Sequence, residues 1–106
     1  MAVFDFNMVN AQFADGISVE AISVSSAAKT LTVPAQANAA MVCVHSSTIR
    51  VSIGSTATAA AGIAFLAGDI FYVYGVKNLN SLSMIRESAD ATVSVQYFNI
   101  KNVSVI

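Results

Sequence analysis

Branched and aromatic residues alternate with small polar ones along much of this chain. Ile49-Arg50-Val51-Ser52-Ile53 puts three branched side chains on one face and two polar ones on the other. The run from Ala91 to Phe98 gathers Val93, Val95 and Tyr97 in the same way, and Leu82 and Met84 alternate with Ser81 and Ser83. Side chains on a strand point to opposite faces in turn, so a period of two predicts half-buried β-strands. Ile49, Val51, Ile53, Val93, Val95 and Tyr97 are therefore expected to face a core. Met41 to Val44 and Ile70 to Tyr74 are apolar at successive positions. Those runs predict strands covered on both sides, either centrally in the fold or by a partner.

Turn formers separate the runs: Asp15-Gly16, Gly54-Ser55, Gly68-Asp69, Gly75 and Ser88-Ala89-Asp90. Strands are expected at 3–9, 17–24, 29–33, 40–46, 49–53, 63–66, 69–74, 81–86 and 91–98, with a further candidate at 102–106. Two of these are expected to merge or fail. Short strands at 8–12-residue spacing predict an all-β fold, a small β-sandwich or jelly-roll-like module of eight or nine short antiparallel strands. Ala35 to Met41 and Thr56 to Ala61 are rich in Ala, the best helix former. Both are too short to hold a helix alone, so they read as loops, with a helical turn after Pro34 as the alternative for the first, and helix is expected in under about one-tenth of the chain.

The 106 residues suffice for one domain with its own core. The expected organisation is an N-terminal strand or arm over 1–16 and a single β-sandwich domain over 17–106. The N-terminal segment carries an apolar stripe, Phe4, Phe6 and Met8, alternating with Asp5 and Asn7. It is either the first strand of the sandwich or an arm. As an arm it makes Phe4, Phe6 and Met8 the candidate subunit or capsid interface.

Charge changes the picture most. Only 10% of the residues are charged, against about one-quarter in an ordinary soluble domain. A subunit packed among others needs less charge than a lone monomer, because neighbours cover its surface. Homo-oligomerisation, as a dimer or trimer, is therefore expected. Lys29, Arg50, Lys77, Arg86 and Lys101 are scattered rather than clustered, which argues against a nucleic-acid partner. The most apolar stretch, Ala57 to Ala67, is broken by Thr58 and Gly62 and falls short of the ~20 residues that span a bilayer, so no membrane partner is expected. The start MAVFDFNMVN lacks a basic region and carries Asp5, unlike a signal peptide. One cysteine suits a reducing cytoplasm.

Candidate chemistry is sparse. Cys43 and His45 share a strand face, but a structural zinc takes four ligands, and no CxxC or HxxxH supplies the others. Glu87 and Asp90 fall in an expected turn, where solvation is the simpler reading than calcium binding. Arg86 is expected at a rim, paired with a carboxylate or carbonyl. Phe71, Tyr72 and Tyr74 are candidates for a sugar-stacking platform, in a chain without Trp. No Gly-x-Ser-x-Gly elbow, P-loop or GxGxxG occurs. The chain is read as a non-enzyme with no catalytic residue, cofactor or metal.

From about Lys29 to Phe98 the chain resembles small all-β virion proteins of tailed bacteriophages, the capsid decoration or cement type. The resemblance runs through Leu31-Thr32-Val33-Pro34, Val42-Cys43-Val44, Ile49-Arg50-Val51-Ser52-Ile53-Gly54 and Gly62-Ile63-Ala64-Phe65-Leu66-Ala67-Gly68-Asp69. It continues through Met84-Ile85-Arg86 and the run Ala91 to Phe98. It covers about two-thirds of the chain and leaves out the N-terminal 16 residues. It implies a structural role with no catalytic residues, binding to a major capsid protein, and a place on the capsid surface after synthesis in the host cytoplasm. The alternatives are a head–tail or tail component, and a carbohydrate- or receptor-binding module.

Overall fold

Eight strands and one short helix order the described residues, 14–101, of the computed structural model. The strands are β1 (Ala14–Val24), β2 (Lys29–Thr30), β3 (Ala39–His45), β4 (Ile49–Ile53), β5 (Ile63–Phe65), β6 (Ile70–Tyr74), β7 (Leu82–Arg86) and β8 (Ala91–Ile100). Helix α1 (Val76–Ser81) lies between β6 and β7. The first sheet has the order β1-β8-β3-β6 and the second β2-β7-β4-β5. Every neighbouring pair is antiparallel. Only β4 and β5 are consecutive strands paired in one sheet. Elsewhere the chain crosses between sheets or skips strands, which is the double-Greek-key order of an eight-stranded jelly roll. The expected all-β sandwich is what the chain forms.

The core follows the alternation. Val42 and Val44 of β3, Val93, Val95 and Tyr97 of β8, and Ile22 and Val24 of β1 are buried on the inner face of the first sheet. Ile49 and Val51 of β4, with Leu82 and Met84 of β7, meet them from the second. Fully burying one such side chain contributes roughly 1.5–3 kcal/mol. Five of the six positions expected in the core are there, and Ile53 is not: it is 47% exposed. The pairing of β4 with β5 stops at Val51, so Ile53 is flanked on one side only, by Leu82 of β7.

Other departures have local causes. Asp15-Gly16 is no turn. Both residues sit in the β1–β8 ladder, opposite Asn99 and Phe98, and the irregularity is a bulge at Ile17. Strand β1 thus begins before residue 17. An Asp15–Lys101 ion pair of 2.9 Å flanks this end of the sheet. Strand β2 stops at Thr30, because the Thr32 N–H donates to Glu20 Oε1 (3.0 Å) as the chain leaves for the first sheet. Helix α1 is unforeseen. It is a turn and a half long, anchored by Leu79, which is wholly buried, and by a Leu79 N–H to Gly75 carbonyl bond of 3.0 Å. The two Ala-rich segments form no helix. The strands expected at 3–9 and 102–106 lie outside the described residues.

One charged group enters the sandwich. Glu20 sits on β1 in phase with Ile22 and Val24, and the buried Tyr97 hydroxyl donates to its Oε1. Burial, first, and then the hydrogen bond to the Glu20 carboxylate raise the Tyr97 phenol well above its ordinary value near 10. The folded state thus holds this proton more tightly than the unfolded chain. Its stabilising contribution is complete below about pH 10 and declines as pH rises further, where only the unfolded chain releases the proton. Thermal unfolding from about pH 8 to about pH 11 should show the melting temperature falling above about pH 10. Tyr97→Phe should remove that part of the decline, whereas Tyr72→Phe should keep it.

Candidate functional site

The two outer faces of the sandwich differ. The second sheet is covered by its own β4–β5 connection. There the Ala57 N–H donates to the buried Ser83 Oγ (2.9 Å), and Arg50 Nη1 donates to the Gly62 carbonyl (3.2 Å). Arg50 also pairs with Glu87 at 2.7 Å. No described residue outside the first sheet plays that part on its outer face.

The ladder registers place this face in cross-strand rows, read from β6 through β3 and β8 to β1. One row is Tyr74, Ala39, Phe98 and Gly16. The next is Tyr72, Met41, Gln96 and Val19, and the third is Ile70, Cys43, Ser94 and Ala21. His45, Thr92 and Ser23 close the face beyond the end of β6. None of these residues is Asp, Glu, Lys or Arg. The charged residues described lie elsewhere, six of them in the pairs Arg50–Glu87, Arg86–Asp90 and Asp15–Lys101.

The large side chains at the two edges of this face are open to solvent, while those between them are half-buried and Ala39 is buried. Val19 is 66% exposed, Ile70 54%, Tyr72 42% and Tyr74 59%. The Tyr72 and Tyr74 rings are near parallel, 14° apart, with centroids 6.3 Å from each other. The relief is uneven. The β6 column is tall (Ile70, Tyr72, Tyr74), and the β1 column is low (Gly16, Val19, Ala21). Isolated exposed apolar residues are ordinary, but a contiguous patch without charge marks an interaction surface. The expectation that Ile70–Tyr74 is covered on both faces is not met by this chain's described residues. Among the described residues strand β6 is a sheet edge, paired with β3 alone.

The sequence-predicted groups fall as follows. Cys43 and His45 do share a face, but the His45 ring nitrogen Nε2 is bonded to Ser94 Oγ at 3.0 Å. No group of three or more His, Cys, Asp or Glu gathers among the described residues. Glu87 and Asp90 do not act together, because each is taken by its own arginine. Arg86 is carboxylate-paired at the rim, as expected. The three-aromatic platform is divided: Tyr72 and Tyr74 face outward, while Phe71 turns inward and stacks on Phe65 with centroids 4.2 Å apart. Phe4, Phe6 and Met8 lie outside the described residues.

An open groove of about 430 Å³ runs beside α1, between Val33–Asn38, Val76, Asn80 and Asn99. Its amides are partly committed to the fold. Asn38 bonds both the carbonyl and the N–H of Ile100, and Asn99 Nδ2 donates to the Gln36 carbonyl. The uncharged sheet face is the stronger candidate. Comparison with protein families, with curated proteins and with solved structures finds no match to this chain.

Proposed function

We propose that this chain is a structural virion protein of a tailed phage, which binds the assembled capsid and stabilises it as a decoration or cement protein. The single observation that carries the reading is the uncharged, aromatic-bearing outer face of the first sheet, on a domain with so little charge overall. Such a face is suited to burial among neighbouring subunits and ill suited to permanent exposure. The jelly-roll strand order is in keeping with it, since that architecture serves capsid and lectin domains alike. Fold alone assigns no function, so the weight rests on the face. The partner is the major capsid protein. The chain is made in the host cytoplasm and resides on the capsid surface, and it has no catalytic task.

The mechanism is mass action. A ligand that binds the assembled shell and not its separated subunits adds RT ln(1 + [L]/Kd) per site, about 2.7 kcal/mol at a hundred times Kd. Many such sites make disassembly improbable without any covalent step.

The test is the composition of particles made from the genome that encodes the chain. Quantitative mass spectrometry of purified virions should find it in a fixed ratio to the major capsid protein. After heads and tails are separated it should remain with heads. Recovery with tails would replace this reading by that of a tail component. Absence from particles would overturn it and return attention to Tyr72 and Tyr74 as glycan-binding groups.

A further inference from the structure

We infer that the outer face of the first sheet is a self-complementary interface, and that its occupant is the same face of a second copy. Three features point to this. The first is charge. A two-fold interface sets a patch against itself, and any charge on it meets its own kind in the partner. This face carries none, so self-association costs no charge burial.

The second is size. Three rows across four strands and a fourth across three, with strands about 4.8 Å and rows about 6.8 Å apart, make a face on the order of 500 Å². Two such faces bury about 1,000 Å² in total, the area at which a specific interface becomes sustainable.

The third is relief. A two-fold axis parallel to the strands, midway between β8 and β3, turns the tall β6 column of one copy onto the low β1 column of the other. Row by row, Tyr74 then meets the partner's Gly16, Tyr72 meets the partner's Val19, and Ile70 meets the partner's Ala21. Large stands against small at both edges, at the ~10 Å spacing of packed sheets. An axis across the strands would instead set β6 on β6 and leave a gap over β1. The dimer draws on the same face as the virion reading, so on a capsid the bound unit would be the dimer; a soluble dimer absent from particles would leave this proposal standing while that reading falls.

The experiment is a charge-pair rescue read by sedimentation at tens of micromolar. Wild type should sediment as a dimer. Tyr72→Lys and Val19→Asp should each weaken association by about 100-fold, because each places an unpaired charge in the dry interface. Y72K combined with V19D should recover the dimer to within about tenfold of wild type, since each new ammonium meets a partner carboxylate. The two positions are three strands apart, about 14 Å, within one copy, so they cannot pair internally. Both are exposed, so the melting temperature of each single variant should stay within a few degrees of wild type once dimer loss is allowed for. A wild-type monomer, a trimer, or a double variant no better than the singles overturns the proposal. So does a single variant that melts much lower without a change in sedimentation, which would mean that the face is packed within its own chain.

Discussion

Val95→Asp yields no soluble folded domain. Val95 is fully buried at the centre of β8, with Val42 of β3 on one side and Glu20 of β1 on the other. The substitution removes the roughly 1.5–3 kcal/mol that burying Val contributes. It also sets a carboxylate among apolar neighbours and directly across the ladder from another carboxylate, at a cost of several kcal/mol more. A domain of this size has about 5–15 kcal/mol in all. Expression should give aggregate or unfolded chain by circular dichroism. A Val95→Asp protein that melts like wild type would mean that the inner face of β8 is misassigned.

Leu79→Ala has the second largest effect. Leu79 is the only buried residue of α1, and nothing else apolar holds that helix on the sandwich. Truncating a wholly buried Leu costs about 2–5 kcal/mol, and the exposed helix has little means to collapse into the space. At about 4–8 °C per kcal/mol for a small domain, the melting temperature should fall by at least about 10 °C. A drop of only a degree or two would show that α1 is a dispensable surface turn. The β6–β7 connection would then be held by its hydrogen bonds, including those of Asn78 to the Tyr74 carbonyl and Ser81 to the Lys77 carbonyl.

Much of the fold was legible because period-two runs leave little ambiguity. Ile49 and Val51, and Val93, Val95 and Tyr97, announce their strands and their core face together. Ile53 continues the same pattern and still lies outside, because burial depends on how far the neighbouring strand extends. Helix α1 spans six residues with one buried position, too few for any period to show. Glu20 was readable and was missed: a lone acid two residues before Ile22 is in phase with the core, which implies a buried partner. The uncharged face was legible only as a low total charge. Its residues come from four strands that are not consecutive, and only the order β1-β8-β3-β6 brings them side by side. The apolar run Ile70 to Tyr74 signalled two covered faces, and the order of the sheet shows which of them the described residues leave open.

The most direct test of the structural role is the stability of the shell itself. Shells assembled from the same genome without this gene should be titrated with the purified chain and melted. Their melting temperature should rise and saturate at a fixed ratio of chain to major capsid protein, with no binding to unassembled capsid subunits. An unchanged shell melting temperature, or equal binding to shells and free subunits, would contradict that role.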